Sequence, residues 1–231
     1  MKSFILVLLV LMAAAPAGAA GIVVSGVSVS GVNAALLEPS KPHGAIILMA
    51  GGDGQIGVGA DGSIRRTGNQ LVRTREAYAA RGFAVLVPDG NVDVPAAVQM
   101  MTQFGKVTLV GTSRGTLRAA SGLAAGARPS RLVLTSGFLT DQSGSAENVV
   151  RILGSPAALP PTLVVHHRHD ECGKTLPGGV APFLAWAAGR ARVVWLDGGQ
   201  SEGDPCEAMA YHGFNGIDGR VVAAVSAFAA R

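Results

Sequence analysis

Charged and aromatic side chains are both scarce in this 231-residue sequence, at 15% and 5%. The low charge excludes the highly charged composition of a disordered chain, and with 48% of residues apolar the sequence can build an ordinary packed core rich in Ala, Val and Leu. The shortage of aromatics argues against a stacking platform for single-stranded nucleic acid. Its one local basic concentration, Arg65, Arg66, Arg73 and Arg75, lacks interleaved aromatics and reads as a solvated helix face. The formal net charge is +4, one unit of which is Lys2, too mild a balance for a polyanion binder. Internal repeats and low-complexity linkers are absent, and the length fits one domain better than two.

Long apolar runs are missing too, except at the start. Lys2 precedes an unbroken apolar run from Phe4 to Met12 and then the small-residue stretch Ala13 to Ala20, the pattern of a secretory signal peptide over residues 1–20. Ala17 and Ala19 offer one A-x-A cleavage site, giving cleavage near Ala19 or Ala20, and Ala13 and Ala15 offer another. The run is too short to span a bilayer, and no cysteine lies near the cleavage region to carry a lipid. The expectation is a secreted or periplasmic mature chain, residues 21–231, without stable membrane insertion. Only two cysteines occur, Cys172 and Cys206, both in the exported part. An oxidising compartment makes a disulfide the default expectation, with two free thiols or a metal pair as the alternative.

Apolar, β-branched runs alternate with helical stretches, the pattern of an α/β protein whose mostly parallel central sheet has helices on both faces. Residues 22–30 and 32–37 read as an antiparallel hairpin. Buried strands follow at 45–49, 84–87, 107–110, 131–135, 162–165 and 192–196, about eight strands in all. Helices are expected at about 68–81, 94–103, 114–125, 146–153, 180–188 and 219–230, several stopped by glycine. Gly and Pro concentrate in the loops after strands, notably 50–62 and 197–219, where open α/β sheets bind ligands.

One of these strands runs into chemistry. Residues 107–120 read as strand, then Gly111-Thr112-Ser113-Arg114-Gly115, then helix: a G-x-S-x-G pentapeptide in the strand-turn-helix context of a nucleophile elbow. Such a turn is strained and exposes the Ser113 hydroxyl, and glycines at 111 and 115 leave room for the neighbouring strand and helix. A serine at a helix start can also be a simple N-cap. As a nucleophile, Ser113 requires a base to accept its proton.

From here the sequence resembles the α/β-hydrolase family, in particular its small lidless members of the dienelactone-hydrolase and esterase kind, in which the triad follows in the order Ser, acid, His. The resemblance implies Asp170, after the strand ending at Val165, as the acid, in preference to Glu171 and Asp141, and His212, before the last helix, as the base. It implies acyl transfer through an acyl-enzyme. It also implies an oxyanion hole from the backbone N–H of Arg114 and one from the loop 49–54, where Gly52 and Asp53 both remain candidates. A Cys172–Cys206 bridge would then tie the acid loop to the histidine loop. Asn69 and Arg73 are candidate substrate-binding residues, although Asn69 can be an N-cap, and Arg73 or Arg75 can anchor a local carboxylate such as Glu76 or Asp89.

Two other readings compete. A hydrolase-fold binding protein without activity would keep the architecture, because fold does not establish function. A metal protein could use the crowded His166, His167, His169, Asp170, Glu171 and Cys172, but His166 and His167 should point apart on an extended segment, and no C-x-x-C or H-E-x-x-H spacing completes a site. No cofactor or metal is therefore expected. The short interval 137–161 leaves no room for a cap domain, favouring small-molecule or polymer-end esters in an open site.

Overall fold

The computed structural model describes residues 21–231; the signal-peptide expectation for residues 1–20 lies outside the described residues. Eight strands form one sheet: β1 (Val23–Val29), β2 (Val32–Glu38), β3 (Ala45–Met49), β4 (Ala84–Pro88), β5 (Val107–Thr112), β6 (Arg131–Thr135), β7 (Thr162–His167) and β8 (Ala191–Leu196). Their spatial order is β1-β2-β4-β3-β5-β6-β7-β8. β1 and β2 pair antiparallel, β2 is antiparallel to β4, and every later pairing is parallel.

Among the described residues seven α-helices flank the sheet: α1 (Gln70–Arg73), α2 (Arg75–Ala79), α3 (Val94–Met101), α4 (Gly115–Ala124), α5 (Val149–Leu153), α6 (Val180–Trp186) and α7 (Asp218–Ala229). Because successive strand residues face opposite ways, the sheet feeds two separate cores. On one face Ile47, Met49, Leu86, Leu109 and Leu134 meet α3 through α6. On the other, Ile46, Leu48, Val85, Val110 and Val133 meet Leu71, Tyr78, Val221 and Val225 from α1, α2 and α7. Each fully buried aliphatic side chain of this kind contributes about 1.5–3 kcal/mol relative to an exposed position.

The helix expected over 68–81 is two short helices. Thr74 interrupts it: its hydroxyl donates back to the Gln70 carbonyl at 2.7 Å, and its backbone leaves helical geometry at φ −101°, ψ 2°. A β-branched hydroxyl residue that bonds back onto the preceding turn bends or ends a helix. The helix expected at 146–153 begins only at Val149, because Asn148 caps it by accepting from the Arg151 N–H at 3.0 Å.

The strand order also locates the site. The chain passes from β3 to β4 on one side, then returns to lay β5 on the other side of β3. A crevice opens where the order reverses, at the carboxyl ends of β3 and β5, and ligands of open α/β sheets bind in such crevices.

Candidate active site

Ser113 follows directly on β5, at the mouth of that crevice. Its φ is +53°, a left-handed conformation that non-glycine residues avoid. The surroundings hold it there: its N–H donates to Thr135 O at 3.0 Å, and its carbonyl accepts from the Thr116 N–H at 2.9 Å and the Thr116 hydroxyl at 2.6 Å. The flanking glycines are required sterically. A Cβ on Gly111 would stand 2.5 Å from Gly115 O, and one on Gly115 would stand 2.7 Å from Ala50 O. The start of α4 therefore lies directly against the end of β3, and the loop after β3 comes beside Ser113.

In that loop and in the turn, the backbone N–H groups of Gly52, Asp53 and Arg114 donate to no other group among the described residues. Such unused donors beside a nucleophile are what an oxyanion hole requires. Asn69 caps α1, accepting from the Leu71 N–H at 3.1 Å, and also lines the crevice.

Of the three candidate carboxylates, Asp170 is the one that reaches His212. Its Oδ2 lies 3.0 Å from His212 Nδ1, and both side chains are buried. Asp141 instead pairs with Arg151 at 2.7 Å on the surface, where the Arg151 hydrogen bond holds its carboxyl below the ordinary range, and Glu171 is exposed. Oδ1 of Asp170 accepts the Cys172 N–H at 3.0 Å, and the Thr175 hydroxyl donates to Oδ2 at 3.1 Å while standing 3.0 Å from His212 Nδ1. With its own proton on Asp170, the Thr175 oxygen can share the Nδ1 proton of His212. The acid and the hydroxyl together fix the tautomer: Nδ1 carries the proton and Nε2 keeps its lone pair. Nε2 is buried and has no partner among the described residues. His212 and Ser113 line the same cleft of about 440 Å³.

The histidine loop is anchored from behind. The Ser136 hydroxyl, at the end of β6, donates to His212 O at 2.7 Å. Arg73 is absent from the cleft lining. Its guanidinium makes a two-point pair with Asp218 at 2.9 and 3.0 Å and donates to Gly213 O at 2.7 Å and Ala208 O at 3.3 Å. The carboxylate anchored by Arg73 is thus Asp218, in the first turn of α7, and its other partners are the histidine loop and Gly68 O at 2.7 Å. Of the carboxylates suggested for the local arginines, Glu76 pairs with Arg75 at 3.1 Å, whereas Asp89 accepts backbone N–H groups of Ile56, Gly57 and Val58. Cys172 and Cys206 are joined, and both line the cleft.

The crowded histidines separate. His167 stacks on Tyr211 with centroids 4.6 Å apart and bonds Gly198 O at 2.8 Å, His169 is exposed beside Asp197, and His166 is fully buried. Among the described residues no group of three or more His, Cys, Asp and Glu is placed to hold a metal ion. Burial pushes the His166 imidazole below its ordinary value of 6.5, against the partial opposition of Asp170 at 4.0 Å. The unfolded chain therefore takes up this proton at a higher pH than the folded one. Stability is expected to fall as pH drops below about 6.5, by up to about 1.4 kcal/mol per pH unit, levelling only beneath the folded value. Denaturant midpoints at about pH 7.5 and 5.5 check this, and the difference should shrink in His166→Asn.

Thr175, Ser136 and Arg118, which bonds the loop after β3, were not legible as site residues; each acts through a partner far away in sequence.

No protein-family model matches the sequence, and no curated protein matches it either. Solved structures do resemble it. TT1662 from Thermus thermophilus superposes with a TM-score of 0.59 at 16% identity, covering 91% of this chain and 99% of its own. The Pyrococcus furiosus esterase Pf2001 gives 0.61 at 14% identity, covering 90% and 91%. An esterase of the bacterial hormone-sensitive lipase family gives 0.57 at 17% identity, covering 90% and 84%. At these identities the likeness establishes architecture: the chain has the α/β-hydrolase fold.

Proposed function

We propose that this α/β-hydrolase-fold chain is an exported serine hydrolase that cleaves carboxylic esters, with Ser113 as nucleophile, His212 as base and Asp170 as acid. The observation that carries the reading is the buried His212, held by Asp170 at 3.0 Å on Nδ1 with Nε2 left bare in the cleft that Ser113 lines. Nε2 takes the Ser113 proton as Oγ bonds to the ester carbonyl carbon, and the resulting imidazolium returns it to the departing alkoxide. Water then cleaves the acyl-enzyme with the same base. Negative charge on the carbonyl oxygen meets the Arg114 N–H and that of Gly52 or Asp53. The esterases among the structural relatives favour this chemistry on this fold.

The segment between β6 and β7 holds only α5 and two single 3-10 turns, leaving the cleft uncapped, which favours short or accessible esters. Export fits the disulfide, and among the described residues no helix is long and apolar enough to cross a membrane. A panel of nitrophenyl esters of graded acyl length, run beside matched amides, tests the reading. Turnover should be highest on short acyl chains and decline along the series. Absence of turnover on every ester would overturn the assignment.

A further inference from the structure

Arg118 lies one turn into α4, beyond the pentapeptide, and reaches back to the loop after β3 without lining the cleft. Its Nη1 donates to Gly52 O at 3.0 Å and its Nη2 donates to Ala50 O. The guanidinium lies against Gly54, where a Cβ would stand 2.8 Å from Nη2, so any larger residue there would displace it. The carbonyl between these two is occupied as well: Gly51 O accepts the Gly54 N–H at 3.1 Å. Burial pulls the Arg118 guanidinium below its ordinary value, with Asp53 acting in the other direction. Hydrogen bonds from a guanidinium cation to carbonyls are charge-assisted and stronger than those between neutral groups.

The consequence lies on the other edge of the chain. Among the described residues all peptide bonds are trans, so each N–H points opposite the carbonyl of its own peptide unit. Holding the Ala50 and Gly52 carbonyls on Arg118 turns the Gly51 and Asp53 N–H groups away from it, and the Gly51–Gly54 turn does the same for Gly52. The Asp53 donor is oriented by Arg118 and the Gly52 donor by the adjoining Gly51–Gly54 turn, and neither bonds to anything else among the described residues. Because Arg118 and Ser113 share one strand-helix unit, the clamp also fixes the loop relative to the nucleophile.

We propose that Arg118 is the positioning residue of the oxyanion hole, aiming the N–H groups of the loop after β3 by gripping its carbonyls from behind. The inference rests on the serine-hydrolase reading. Without the clamp the Ala50–Gly51 and Gly52–Asp53 peptide units, on either side of the Gly51–Gly54 turn, are free to rotate, and the developing oxyanion loses aligned donors while ground-state binding is little affected.

Arg118→Met in the full chain is expected to lower kcat about 10²-fold, near the 10²–10³ range seen when an oxyanion donor is lost, with KM changed less than about threefold. A trifluoromethyl ketone, which forms a tetrahedral adduct on the serine, should lose affinity by the same factor, whereas the carboxylate product should not. Arg118→Lys should recover only part of the loss, since one ammonium cannot reproduce a fork across two carbonyls. Retained kcat in Arg118→Met, or equal losses for the ketone and the product, overturns the proposal. Amide hydrogen exchange at Gly54, whose buried N–H donates to Gly51 O within the clamped turn, gives a readout independent of turnover: it should quicken at least about tenfold in Arg118→Met, and unchanged exchange overturns the clamp whatever the ester panel gives. A wild-type protein inert toward every ester and toward fluorophosphonate removes the serine-hydrolase reading instead, leaving exchange to decide whether Arg118 orders the loop.

Discussion

Ser113→Ala is expected to lower ester turnover at least about 10³-fold and to abolish labelling by a fluorophosphonate. The size of the effect follows from what remains: the cleft and backbone donors still bind the ester, but no oxygen is left to form the acyl-enzyme. The same position carries a stability signature. Ser113 is held at φ +53° by bonds to Thr135 and Thr116, and a non-glycine residue in such a region carries strain on the order of 1–3 kcal/mol. Alanine inherits that strain, so Ser113→Ala should unfold near the wild-type midpoint. Ser113→Gly relieves it and should be more stable by about 1 kcal/mol while equally inactive. Full turnover in Ser113→Ala, on an ester the wild type cleaves, would exclude Ser113 as nucleophile. A glycine variant less stable than wild type would show that the turn is not strained.

Asp170→Asn is expected to lower kcat about 10⁴-fold, the scale seen when the acid of such a triad becomes an amide. Here the physical path is explicit. Asp170 accepts from the Cys172 N–H on one oxygen and from Thr175 and His212 on the other. An amide presents one oxygen and one NH₂, and the fixed Cys172 N–H claims the oxygen. The NH₂ then faces His212 Nδ1 and donates to it, so the imidazole proton moves to Nε2 and the base is lost. Reversing the amide leaves the NH₂ opposed to a backbone donor, at about 1–3 kcal/mol of stability. Glu171→Gln and Asp141→Asn should stay within about threefold of wild-type activity, since neither carboxylate approaches His212. If Asp170→Asn keeps a tenth of the activity, another group must orient the histidine.

What could be read in advance was whatever chemistry confines to a short stretch. The elbow is five residues, its glycines are required by contacts with adjacent elements, and the near-continuous apolar strands announce a sheet covered on both faces. The features that escaped reading arise from closure over long separations. Arg73 could be read as anchoring a carboxylate, but not which one, because its partner Asp218 is 145 positions away. Ser136 reaches His212 across 76 positions, and Arg118 reaches Gly52 across 66. Thr175 is an unremarkable loop residue until β7 and the histidine loop are brought together. The break in the helix after Arg73 depends on one side chain turning back on its own backbone, which apolar periodicity does not register.

The disulfide beside the cleft has a consequence for the integrity of the site once the main chain is cut. Residues 197–207, between β8 and the histidine, are exposed throughout, the stretch most open to a protease. A cut anywhere from 197 to 205 falls between Cys172 and Cys206, so the C-terminal fragment bearing His212 and α7 stays covalently joined to the fragment bearing Ser113 and Asp170. Arg73, bonded to Gly213 and Asp218, holds the severed piece in register from the other side. Main-chain continuity at the most accessible loop is therefore dispensable for keeping the three side chains together, and a nicked molecule comes apart only once the sulfur bridge is reduced.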